Sequence, residues 1–232
     1  MTQAADPRDE FIQRVVLNKS FVDVGGLSNV IYERVSVAAK AGAKSLCMID
    51  VEAEECVWWR ELSERLVERN IECEFVSADI LTCQPKAYDV VHSSGVLYHL
   101  PKPMEYLLQL RRMTRDYCIL TSTTISRSLK TKYGDLELPE ACIVFVPALS
   151  GREREIVKEW FVHGGRGDVT EREERFGGWN NVTNYYPNWF IPTVSAFKEM
   201  ACSAGFDIVD GRAVEPNDYS YCLLLKPRQK ES

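Results

Sequence analysis

Two periodicities alternate along the first half of the chain. Phe21, Val22 and Val24 form a short apolar run that Gly25-Gly26 interrupts, which predicts a strand entering a turn. Val30, Arg34, Val37, Ala38 and Ala41 then recur at helical spacing, and Gly42 follows as a stop. Residues 45–49 are a second apolar strand ending in Asp50. Residues 54–70 place Val57, Trp58, Leu62 and Leu66 on one stripe of a helix. Residues 74–77 read as a third strand, followed by Ala78-Asp79. Residues 88–91 read as a fourth, broken at Ser93-Ser94-Gly95. A helix over 104–114 and a strand over 117–121 complete the series, and residues 9–17 read as a short leading helix. Strands alternating with helices at this spacing predict an α/β fold, a mostly parallel sheet with helices on both faces.

The alternation stops at residue 126. From there to residue 190 the chain carries glycines, charges and aromatics without a sustained period, apart from a strand near 141–146 and a helix near 151–161. The aromatic content (Trp160, Phe161, Phe176, Trp179, Tyr185, Tyr186, Trp189, Phe190) argues against disorder. The stretch is therefore read as a cap inserted over a pocket. After it, Thr193 caps a helix running to Ala204, and Gly205 stops it. Residues 206–209 and 219–225 form a terminal antiparallel hairpin. Five strands and this hairpin make a seven-stranded sheet in one domain spanning residues 1–232, with 126–190 as the insertion.

Composition narrows the picture. With 45% hydrophobic and 27% charged residues, the 232-residue chain has the make-up of a globular protein. A net charge of -6 opposes broad contact with a phosphate backbone, so nucleic acid is not the expected partner. No apolar run reaches the roughly 20 residues that cross a bilayer, and the polar start MTQAADPRDE lacks a signal-peptide core, so a cytoplasmic chain without membrane contact is expected. The eight cysteines are scattered without a C-x-x-C pair, and Cys47, Cys118 and Cys222 fall in predicted core strands. With only three histidines in different settings, no metal site is expected.

The glycine turn DVGG, the acid Asp50, the segment SADI around Asp79 and the run YDVVHSSGVLYHLPKP carry the candidate chemistry. Glycines let a backbone approach a ligand closely, and an acid at the tip of strand two can hold ribose hydroxyls. Together with the hairpin after Gly205-Phe206, these residues resemble the Rossmann-like class I S-adenosylmethionine-dependent methyltransferases. The run from Gly95 to Pro103 and the segment NWFIPTVSAFKEM are also similar to the bacterial tRNA wobble-uridine carboxymethyltransferase and its small-molecule relatives. The resemblance implies S-adenosyl-L-methionine as cofactor. It implies Asp23, Gly25 and Gly26 under the methionine part, Asp50 on the ribose, Asp79 and Ile80 on the adenine, and Ser93 and Ser94 beside the sulfur. It also implies methyl transfer to a small-molecule acceptor, at oxygen, with His99 as the base and Tyr98, Tyr185, Tyr186 and Trp189 as substrate walls. The family's third glycine is missing: Leu27 or Ser28 stands there, and a side chain at that point is expected to crowd the cofactor.

Each signal also has a purely structural reading: DVGG as a plain turn, either acid alone as a strand-end surface acid, and His99 as the cap of the segment that follows it. His92 reads as a core residue of strand four, and His163 as exposed. A tRNA base as acceptor, and a non-catalytic binding protein on the same fold, remain the alternative functions, and a homodimer is compatible with all three. Clustering of Arg111, Arg112, Arg115, Arg127, Lys130 and Lys132 on one face would favour the tRNA.

Overall fold

A computed structural model describes residues 6–27, 30, 33–84, 86–171, 188–214 and 218–229. Helix α1 (Pro7–Val15) starts at Asp6, whose side chain accepts the Arg8 amide, with proline in the first turn. Strand β1 (Ser20–Val24) leads through the glycine turn to α2 (Val35–Lys40) and then β2 (Ser45–Asp50). Helix α3 (Val57–Glu68), β3 (Glu74–Ser77), β4 (Tyr88–Ser94), α4 (Pro103–Met113) and β5 (Thr114–Thr123) continue the alternation. Two hairpin strands, β6 (Ser128–Thr131) and β7 (Gly134–Glu137), follow, then β8 (Ile143–Phe145) and α5 (Gly151–His163). Strand β9 (Phe190–Pro192), α6 (Val194–Ser203), β10 (Phe206–Ala213) and β11 (Ser220–Pro227) close the chain.

The main sheet has seven strands in the order β10-β11-β5-β4-β1-β2-β3. β3, β2, β1, β4 and β5 run parallel, and β11 joins β5 antiparallel with β10 outside it. Burial follows position. The central strands are buried on both faces, whereas at the edges β3 has no buried residue and β10 only one. Alternate side chains divide between two layers. Val22, Val24, Val91 and Leu120 pack against Tyr106 and Leu110 of α4 and Phe197 and Met200 of α6. Phe21, Val90, Ile119 and Leu224 pack against Phe11, Ile12 and Val15 of α1.

Several bounds differ from the pattern by a few residues, and three differences bear on the site. The first crossover helix begins at Val35, not near Val30, because Val30 has φ +55° and the Arg34 amide is already bonded to Asp23. Strand four continues through Ser93 and Ser94, since Ser93 bonds Tyr106 inside the core. The buried stripe of α3 is Trp59, Leu62 and Leu66, with Val57 exposed. Residues 126–171 build a small core of their own, in which Leu129, Val144, Ile156, Val157 and Phe161 meet Ile191 and Tyr219. Among the described residues no helix is long and apolar enough to cross a membrane.

Candidate active site

A cavity of about 1360 Å³ lies beyond the carboxyl ends of the parallel strands. That is where open α/β sheets bind ligands, because strand tips and following turns leave amides and side chains converging there. Its wall takes Val24, Gly25 and Gly26 from β1, Asp50 from β2, Asp79 and Ile80 after β3, Ser94 and Gly95 from β4, and Thr121 and Thr123 from β5.

The glycine turn is sterically determined. Gly25 has φ +76°, and a Cβ there would stand 2.2 Å from Val96 Cγ2. A Cβ on Gly26 would stand 2.5 Å from Asp23 Oδ2. Asp23 itself is fully buried and does not border the cavity. It supports the turn from beneath: Oδ2 accepts the Arg34 amide at 2.7 Å, and Oδ1 lies 2.7 Å from His92 Nδ1. Leu27, at the place of the missing glycine, does not crowd the cavity. Its side chain is buried with Val30, Val35 and Met48, and its amide donates to Asp50 Oδ2 at 3.0 Å. Ser28 lies outside the described residues.

Asp50 is 7% exposed and borders the cavity. Burial pushes its carboxyl above the usual carboxylate range, while the Leu27 and Glu52 amides pull the other way. Asp79 fixes its own turn by accepting the Leu81 amide at 2.8 Å, and Ile80 stands beside it in the wall. Ser94 Oγ accepts from Arg8 Nη1 at 3.2 Å. Ser93 turns away to Tyr106, oxygen to oxygen 2.7 Å, and is not in the wall. Tyr98 and His99 both border the cavity, their rings 4.3 Å apart on a short 3-10 turn. Trp189 does not; it stacks near Phe145, and its amide donates to the Tyr98 carbonyl at 2.7 Å. Tyr185 and Tyr186 lie outside the described residues.

Several wall residues were not singled out from the sequence. Trp58 stands on the Asp50 side; Arg8, His92, Ser122, Arg166 and Ser220 stand with the hydroxyls of Thr121 and Thr123. The polar run 121–124 at the end of an apolar strand was the available signal for the hydroxyls. Arg8 is held by Asp6, 2.6 Å away, and Asp6 also meets Arg34 at 3.0 Å. Burial raises the Asp6 carboxyl, but Arg8 and Arg34 outweigh it and hold the group below the carboxylate range.

The strand order, the glycine turn and the terminal antiparallel hairpin define the Rossmann-like fold of class I S-adenosylmethionine-dependent methyltransferases. No family model matches the chain. In sequence it is 27% identical over 182 residues to the tRNA U34 carboxymethyltransferase of Shewanella amazonensis, covering 78% of this chain and 42% of that protein. The chain spans less than half the length of the curated relatives it matches, between 27% and 42%. In structure it is similar to the Burkholderia thailandensis 1,6-didemethyltoxoflavin-N1-methyltransferase, solved with 1,6-didemethyltoxoflavin and S-adenosylhomocysteine bound. The TM-score is 0.57 at 12% identity, covering 97% of this chain and 80% of that one. The 4+2 cyclase SpnF matches equally well, with a TM-score of 0.57 at 13% identity over 98% of this chain and 82% of the other.

Proposed function

We propose that this chain is an S-adenosylmethionine-dependent methyltransferase acting on a polar small molecule, with oxygen as the receiving atom. The observation that carries the reading is the convergence of Asp50, Asp79 and Ile80 with the glycine turn on one cavity. These residues fit the cofactor's parts. The buried Asp50 carboxylate suits a pair of ribose hydroxyls, because an ionised acceptor makes the stronger hydrogen bond. Asp79 with Ile80 suits a planar base bearing an amine, and the Gly25-Gly26 backbone suits the amino-acid end. When bound, the cofactor supplies an electrophilic methyl group on a sulfonium. The chain contributes position, and orienting two reactants can supply roughly 7–11 kcal/mol of the barrier.

The acceptor is assigned to the other half of the cavity, where Ser94, Thr121, Thr123 and Ser220 offer hydroxyls. Calorimetry tests the cofactor half: S-adenosylmethionine binds the wild-type chain at micromolar level, and absence of binding in folded protein sinks the reading. Methyl-labelled cofactor incubated with fractionated extract of the source identifies the acceptor.

A tRNA acceptor is the second reading, favoured by the names of the sequence relatives. The cationic residues do not gather for it. Arg111, Arg112 and Arg115 sit at the start of the ten-residue β5, and Arg127, Lys130 and Lys132 beyond its other end. A strand of that length separates them by roughly 30 Å. Three are in ion pairs: Arg115 with Asp89 at 3.5 Å, Arg127 with Glu140 at 3.8 Å and Lys132 with Glu159 at 3.0 Å. Salt-dependent binding of unmodified tRNA by the chain would restore it.

A further inference from the structure

Strand register places Asp23 and His92 side by side on neighbouring parallel strands, both on the face covered by α1. Asp23 is 0% exposed and His92 1% exposed, and they meet at 2.7 Å through His92 Nδ1. Asp23 is fully engaged, since its second oxygen holds the Arg34 amide. An ionised carboxylate only accepts hydrogen bonds, so beside it a neutral imidazole carries its proton on Nδ1 and its lone pair on Nε2. That Nε2 is buried and has no hydrogen-bond partner among the described residues. A lone pair left so costs free energy unless something else donates to it. His92 is among the residues that border the cavity, in the half where Ser94 and Thr121 stand.

We propose that His92, oriented by Asp23, takes the proton of the acceptor hydroxyl. The assignment rests on the methyltransferase reading. As the acceptor oxygen bonds the methyl carbon, the carbon–sulfur bond breaks and its electron pair stays on sulfur. The hydroxyl proton passes to Nε2, and the imidazolium formed beside the Asp23 carboxylate later releases it to solvent. Asp23 is then a positioning residue and His92 the catalytic one. His99 borders the same cavity from a partly exposed turn. The pair implies an acceptor that loses a proton on methylation, a hydroxyl or protonated amine, and excludes a thioether or a tertiary amine.

The test uses the full chain. Nitrogen-15 spectra of the histidine rings should place the His92 proton on Nδ1 near pH 7, and Asp23→Asn should turn this into a mixture of tautomers. His92→Gln should keep S-adenosylmethionine affinity within about threefold and lower label transfer to the active extract fraction by about 100-fold or more. A wild-type proton on Nε2 overturns the assignment, whether or not the variants fold. So does unchanged transfer in His92→Gln, and so does a loss of cofactor affinity above about tenfold, which would make His92 a cofactor contact. Wild-type protein that neither binds the cofactor nor transfers label sinks the methyltransferase reading itself, and the proton role with it.

Discussion

The two halves of the cavity are built from the same strand ends and offer opposite chemistry. On the β1–β2–β3 side stand the carboxylates of Asp50, Glu52 and Asp79, with Ile80 and Trp58. On the β4–β5–β11 side stand Ser94, Thr121, Thr123 and Ser220 with Arg8 and His92. The first set suits one defined shape, a sugar with a flat base. The second presents many small donors and acceptors with His92 and, on the turn after β4, His99, an arrangement that a change of one or two side chains would retune. On the proposed reading, the constant partner, the cofactor, sits toward the β3 edge and the variable partner over β4, β5 and β11.

The sharpest way to break this division is at Asp50. Asp50→Ala should weaken S-adenosylmethionine binding by about 100-fold in calorimetry, because a charged acceptor and the tether of the Leu27 amide are lost together. Asp50→Asn should lose less. The carboxyl is raised by burial, so its contribution to binding fades as pH falls, and the fade should begin above the usual carboxylate range. The same raised value means ionised Asp50 works against folding. That penalty is absent below the unfolded carboxylate value, grows as pH rises toward the folded one, and a bound ligand should offset part of it.

Gly26→Ala should come next, with a loss of about 1–3 kcal/mol in denaturant unfolding, because the added methyl meets a buried carboxylate that has two partners to keep. Tyr106→Phe should cost about 1 kcal/mol, leaving the Ser93 hydroxyl buried without its mate. Asp6 has a lowered value, so its stabilising share is full above the unfolded carboxylate value and is lost as pH falls through the folded one. Asp6→Asn should flatten the acid limb of a stability profile. Smallest of all, Lys132→Ala should leave the unfolding midpoint within error, since an exposed ion pair contributes little.

Much of the parallel sheet was readable because its central strands are buried on both faces and its helices on one, so periodicity reports burial directly. Legibility failed where a tertiary bond overrode the local pattern. Val30 carries the helical spacing, yet the Asp23 carboxylate captures the Arg34 amide and delays the helix to Val35. Ser93 and Ser94 look like a turn, yet they are strand, one bonded inward to Tyr106 and the other outward to Arg8. His92 was read as core, and it is buried. What periodicity does not contain is the register that sets it opposite Asp23. Trp189 was an expected wall and instead backs one, because its side chain packs with Phe145 of the small sheet. The β6–β7 hairpin was missed in a stretch whose charged residues gave no alternation.

The bond from the Trp189 amide to the Tyr98 carbonyl has a mechanical consequence. It rivets the two-stranded β8–β9 ribbon to the loop that carries Tyr98 and His99, and β9 runs straight on through Thr193 into α6. A shift of that ribbon would therefore be felt at the rim of the hollow, so substitutions in residues that never touch it would reshape what enters.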